Sequence, residues 1–179
     1  MVLRNRTRRS SQPGGGEWSG LLYLYPRLAR PELAWLLTQG LPAAHLDFPW
    51  SPLANVMVAW GYLEPDTARA EAERRGWHAP LAGAPPPEPC VFSARLECVW
   101  DLRGGTEQRY FGLTGEDFRD GRPAGPAGRA AQAVWDRGAE GLLVPSAVVE
   151  GGSLLVLFPE FLRPGSHFRP TSARWIGGD

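Results

Sequence analysis

The chain contains no lysine. All 19 of its basic residues are arginine, and 19 acidic residues balance them to a formal net charge of zero. With no net field, charge alone favours neither nucleic acid nor an anionic membrane surface as a partner. The missing lysine, beside 22 glycines, 18 prolines and abundant alanine, reads as coding bias as much as physics. It weakens inference from any single arginine. Cysteine is scarce too: Cys90 and Cys98 are the only two, with no CxxC or Cys/His cluster to suggest zinc. On an extended strand at ~3.3 Å per residue they stand roughly 26 Å apart, beyond disulfide reach. They read as small buried hydrophobes in a reducing compartment. No apolar run approaches the ~18 residues of a membrane span. The first 16 residues, MVLRNRTRRSSQPGGG, carry four arginines and no apolar stretch of the signal-peptide kind. The expected setting is cytoplasmic. Nucleophile elbow, P-loop, GxGxxG and HExxH are all missing, so no familiar motif announces a reaction.

What is present points to one domain. At 179 residues and 43% hydrophobic content the chain can build a real core. The expected organisation is a disordered basic tail over residues 1–16, with a partner-binding or nucleic-acid-binding arm as its other reading, and a single domain over residues 17–179. Leu21 to Tyr25 reads as a first strand ended by Pro26. A short helix follows in RPELAWLLTQG, with Pro31 in its first turn and Gly40 as its stop. Pro42, Pro49 and Pro52 exclude helix before Leu53, and Asn55 to Trp60 reads as a buried strand. EPDTARAEAERRG, Glu64 to Gly76, is the clearest helix, opened by Pro65 and Asp66 and closed by Gly76. Within it Glu71 can pair with Arg74 or Arg75. On the residues alone that side reads as a solvated, salt-bridged face.

APLAGAPPPEP is a polyproline-like connector. CVFSARLECVW then alternates strictly, which puts Cys90, Phe92, Ala94, Leu96, Cys98 and Trp100 on one face of a strand. A helical turn is expected within Phe111 to Phe118 and a Gly/Pro loop over Arg119 to Gly128. A helix over Arg129 to Arg137 should turn Ala130, Ala133 and Val134 inward. The segment after Pro159 reads as irregular, with Trp175 tucked onto the body. The sum is a mixed α+β domain, strand-rich in its second half.

The most informative stretch is WDRGAEGLLVPSAVVEGGSLLVLFP, Trp135 to Pro159. Gly138 stops a helix, Leu142 to Val144 form a short strand that Pro145 interrupts, and Gly151-Gly152 turns into a second apolar run, Ser153 to Phe158. Ser146 sits behind the break, where a hydroxyl can face a pocket. With Glu71 it makes the one polar pair worth weighing for chemistry.

This segment resembles the C-terminal signature of the RES domain family, a G-x-x-x-P-S-A turn followed by a glycine-rich turn and an L-V-L-F-P strand. CVWDLRGGTEQRYFGLTGEDF is similar to the family's preceding strand, and WGYLEPDTARAEAERRG to its strand-to-helix step. The resemblance implies an α+β RES fold with a core like that of ADP-ribosyltransferase toxins. It implies degradation of NAD⁺ by phosphorolysis or hydrolysis at the nicotinamide glycosidic bond, with NAD⁺ a substrate and no cofactor or metal. It implies an Xre-type antitoxin as partner, through which alone nucleic acid is reached, and no membrane. Self-association is left open. Glu71 falls at the family's glutamate and Ser146 at its serine, the expected catalytic pair.

Counted back from Glu71 without gaps, Trp60 stands at the family's tyrosine and Pro49 at an arginine, with Trp50 at the aromatic that follows. Trp60 and Trp50 are the candidate substrate-binding residues. A pyrophosphate substrate wants guanidinium forks, and proline offers none; Arg27, Arg30 and His45 are the neighbouring groups that could substitute. Three readings stay open at this point. The chain is an NAD⁺-degrading toxin, or a RES-fold binding module without turnover, or Glu71 and Ser146 lie far apart and merely cap or face solvent.

Overall fold

The computed structural model describes residues 6–7, 14–25, 41–42, 56–76, 89–119 and 125–171. Its strands are β1 Arg6–Thr7, β2 Gly16–Leu24, β3 Leu41–Pro42, β4 Met57–Tyr62, β5 Cys90–Asp101, β6 Gly141–Pro145, β7 Ser153–Leu157 and β8 His167–Pro170. Its helices are α1 Pro65–Arg74, α2 Gly105–Tyr110 and α3 Pro126–Trp135, with 3-10 turns at Gly115–Phe118 and Pro159–Phe161. The architecture is the expected α+β, a sheet core with few short helices.

Five strands close on themselves. β2 pairs antiparallel with β5 from Leu24↔Cys90 onward. β5 runs parallel to β6 over Val99–Asp101, β6 and β7 form the antiparallel hairpin, and β7 pairs with β4. Tyr62 of β4 then meets Tyr23 of β2, which completes the ring. β1, β3 and β8 extend it on β2, β4 and β5. Directly paired residues point to the same face of a sheet. Leu22, Phe92, Leu143 and Leu155 therefore share the inner face, and all four are fully buried. Burying such a side chain contributes about 1.5–3 kcal/mol. Gly61 belongs to this face, and a Cβ there would come 2.7 Å from Leu22 Cβ, so only glycine lets β4 approach β2 this closely. β6 and β7 are apolar at nearly every position because both their faces are covered.

The alternation expected along β5 holds from Cys90 to Leu96 and then breaks. Trp18 pairs with Leu96 but Gly16 pairs with Val99, a one-residue register shift that marks a β-bulge at Glu97–Cys98. Beyond the bulge every side chain changes face. Val99 turns inward with Gly141 and Leu157, and Trp100 turns outward with Leu142. Trp100 therefore does not share the face of Cys90, as the unbroken alternation implied. It packs instead against Phe111 and Tyr110, with the Arg137 guanidinium 5.7 Å over its ring. The bulge has a specific fastener. Glu140, fully buried, takes the Glu97 and Cys98 N–H groups on Oε2 at 2.5 and 2.8 Å, and the Arg163 N–H on Oε1 at 2.8 Å. Both cysteines are free thiols, and burial pushes the Cys90 thiol up to about 12.

Other elements differ from expectation by local chemistry. Residues 1–16 are not wholly unstructured, because Arg6–Thr7 pair with Ser19 and Trp18 and Gly16 already belongs to β2. α3 starts at Pro126, three residues before the position read from the Gly/Pro loop, since proline suits a first helical turn. It buries Ala127, Ala130, Ala131 and Val134, leaving Ala133 half-buried. The segment after Pro159 supplies β8, which pairs with Phe92–Arg95. The helix expected around Pro31 and the position of Trp175 lie outside the described residues.

Candidate active site

α1 follows β4 after a two-residue turn, with Pro65 in its first turn and Asp66 near its positive end. Its inner face is Thr67, Ala68, Glu71 and Ala72, all buried. Glu71 is 2% exposed. The reading of this helix side as solvated is thereby corrected at Glu71, while the exposed Asp66–Arg69 pair shows what the solvated side looks like.

Ser146 arrives from the other end of the sequence. β6 ends at Pro145, and the Ser146 N–H donates to the Gly152 carbonyl at 2.8 Å, closing the hairpin loop. The Ser146 hydroxyl then donates to Glu71 Oε1 at 3.0 Å, across 75 positions of sequence. Its oxygen accepts the N–H groups of Val148 at 3.1 Å and Val149 at 3.0 Å. A hydroxyl offers one donor and two acceptor sites, so every one is occupied. Ser146 is therefore built to hold Glu71 and the loop together. The expected pair does converge, and the reading that sets Glu71 and Ser146 far apart is excluded.

The second Glu71 oxygen, Oε2, faces two guanidinium groups, Arg74 Nη2 at 3.4 Å and Arg75 Nε at 3.7 Å. Tyr62 completes the cluster. It is buried at the end of β4, where its hydroxyl faces Glu71 and Arg75. Burial above all, then the Glu71 carboxylate, pushes the phenol above its ordinary range, while Arg75 and Arg74 pull the other way. The phenol therefore stays neutral at physiological pH. Sequence reasoning missed Tyr62 in favour of Trp60. The period of two in a strand was the available signal, since it carries both rings to the same face and puts Tyr62 nearer the helix. Trp60 is 3% exposed within the core. Trp50, Pro49, Arg27, Arg30 and His45 lie outside the described residues.

Helix and hairpin are stitched together beside the site. Glu64 Oε2 accepts the Ser153 N–H and the Thr67 hydroxyl, both at 3.2 Å, and the Leu63 N–H donates to the Ser153 carbonyl at 3.0 Å. Gly152 lies under Thr67: a Cβ there would sit 2.6 Å from Thr67 Oγ1 and 2.9 Å from Cγ2. Gly152→Ala is expected to cost about 1–3 kcal/mol by overpacking, lowering Tm by roughly 5 °C. Adding Thr67→Ala should recover part of that loss in a thermal melt. A melt of the single variant that matches the parent would disprove this contact. Nearby, Arg103 forks onto buried Asp101 through Nε at 2.9 Å and Nη2 at 2.8 Å, which raises its pKa.

The buried glutamate, its serine and the strand-to-helix step are one connected unit, and the same stretch of chain carries a family signature. The RES domain model matches residues 58–175. This chain belongs to the RES domain family. Its RES fold is shared by a chain in the crystal structure of the M. tuberculosis MbcT–MbcA toxin–antitoxin complex. The two are 19% identical with a TM-score of 0.63, over 89% of this chain and 85% of that one. Among curated proteins no sequence matches. The RES match begins at Val58, so it takes in β4 from its second residue, α1 and the hairpin, the elements that build the Glu71 site.

Proposed function

We propose that this RES protein degrades NAD⁺ by breaking its nicotinamide glycosidic bond, as the toxin of a toxin–antitoxin pair. The observation that carries the reading is the bond from Ser146 to the buried Glu71, which joins the family's glutamate and serine positions from remote parts of the chain.

The chemistry suits the groups. As the bond breaks, neutral nicotinamide leaves with the bonding electrons and positive charge develops on the ribose ring. A fixed carboxylate can stabilise that charge or hold a ribose hydroxyl, without reorganising as the charge appears. Glu71 takes this catalytic role. Ser146 is a positioning residue, since its hydrogen-bonding capacity is spent on Glu71 and two amides. Phosphate or water then attacks the ribose carbon, losing its proton in the process. An antitoxin, of the Xre type by the family resemblance, is the matching partner, and the cytoplasm is the compartment that holds both NAD⁺ and that partner. Among the described residues no helix is long and apolar enough to cross a membrane.

The test is incubation of the purified protein with NAD⁺, with and without phosphate, followed by chromatography of the products. Nicotinamide should be released, with ADP-ribose as the other product in water and its phosphorylated form in phosphate. No release under either condition would overturn the proposed activity and favour the reading as a binding module, which rests on Pro49 at the family's arginine position.

A further inference from the structure

Glu71 is one buried negative charge, yet two guanidinium groups converge on its Oε2. One cation suffices to compensate a buried carboxylate, so the cluster carries a surplus positive charge. The surplus sits at the open edge. Arg75 has 12% of its side chain exposed, whereas Arg74 has 52%. Geometry separates these groups from the other arginine fork nearby. Arg103 meets Asp101 through two short contacts of 2.8 and 2.9 Å, the bidentate arrangement in which one side of the guanidinium fork is matched to its carboxylate. Arg74 touches Glu71 by one nitrogen at 3.4 Å, a single long hydrogen bond. A guanidinium has five donors in a planar fork. Arg74 thus presents most of its fork outward, anchored at one corner beside the carboxylate.

We infer that Arg74 is the phosphate-binding residue of this site, gripping an anionic phosphoryl oxygen of a ligand whose ribose lies at Glu71. This rests on the proposed NAD⁺ reading for the identity of the ligand. It supplies, from the last turn of α1, the guanidinium that Pro49 cannot provide. A helix C-terminus also attracts basic side chains through its dipole, but that interaction is indifferent to ligand. The two roles therefore separate in a binding experiment.

The probes are ADP-ribose, which carries two phosphates, and nicotinamide riboside, which carries none. Their affinities are measured by calorimetry for the full chain and for Arg74→Gln and Arg74→Lys. Loss of a charge-assisted hydrogen bond should weaken ADP-ribose by about 10- to 30-fold in Arg74→Gln. Nicotinamide riboside should stay within about twofold, and Arg74→Lys should recover part of the loss. ADP-ribose affinity unchanged in Arg74→Gln overturns the assignment, as does an equal fall for both probes, which marks a structural role. Absence of ADP-ribose binding by the parent protein overturns it as well. A parent that binds ADP-ribose with the expected Arg74 dependence but does not consume NAD⁺ fails the proposed activity alone. A parent that consumes NAD⁺ while Arg74→Gln binds ADP-ribose normally fails the Arg74 assignment alone.

Discussion

Glu71→Gln is expected to lower nicotinamide release from NAD⁺ at least about 100-fold, the scale on which a single preorganised electrostatic group acts in a transition state. Glutamine preserves the shape and one carbonyl oxygen, so the Ser146 hydroxyl keeps an acceptor at the position of Oε1. The negative charge is lost. The other end of the side chain becomes an NH₂ facing the donors of Arg74 and Arg75, where Oε2 now accepts. That mismatch should cost about 1–3 kcal/mol of stability, small enough for a folded protein to be purified and assayed. The catalytic loss must therefore be read beside a thermal melt, at a temperature where the variant is folded. Folded Glu71→Gln that releases nicotinamide at the parent's rate removes Glu71 from the mechanism.

Glu140→Ala should produce the largest loss of stability. The carboxylate accepts three backbone N–H groups from two separate segments, and its own N–H and C=O tie to Cys98 and Phe158. Truncation leaves three amides without an acceptor in an enclosed place. Each unsatisfied group costs about 1–3 kcal/mol, so a net loss of about 3–5 kcal/mol follows after partial relaxation. For a chain of this size that lowers Tm by roughly 10 °C or more. Glu140→Gln should fall between, since its carbonyl retains one acceptor while its NH₂ confronts a donor. Urea unfolding is the measurement. An unfolding free energy lowered by less than about 1 kcal/mol for Glu140→Ala would show that the bulge holds itself without this residue. Activity at low temperature, where both variants are folded, should change far less than in Glu71→Gln.

These two glutamates also show what a sequence displays and what it hides. α1 was legible because proline, an acidic first turn and a closing glycine are local signals, and so were the apolar runs of β6 and β7. The direction in which Glu71 points was not legible. Helical spacing leaves two faces, and only the arrival of the hairpin from 75 residues away decides which one is buried. The bulge in β5 was hidden for a related reason. Its cause is Glu140, 42 and 43 positions later, and no property of CVFSARLECVW itself predicts an extra residue at Glu97–Cys98. Ser146 was legible from the strand break behind Pro145 and then from the family motif, but its saturated hydrogen bonding was not. Tyr62 was overlooked because an ungapped count favoured Trp60, though strand alternation carries both to the same side. Trp50 lies outside the described residues, as does Pro49.

The distance in sequence between Glu71 and Ser146 also orders events in time. A ribosome adds residues from the N-terminus at about 5–20 per second, so α1 emerges well before the loop that fixes its glutamate. The ring of strands cannot close until β6 and β7 exist, because β4 reaches β5 only through them and through β2. A nascent chain that has made α1 but not the hairpin therefore carries the chemical group without the geometry. The Glu71–Ser146 geometry arrives only once the hairpin has emerged and docked.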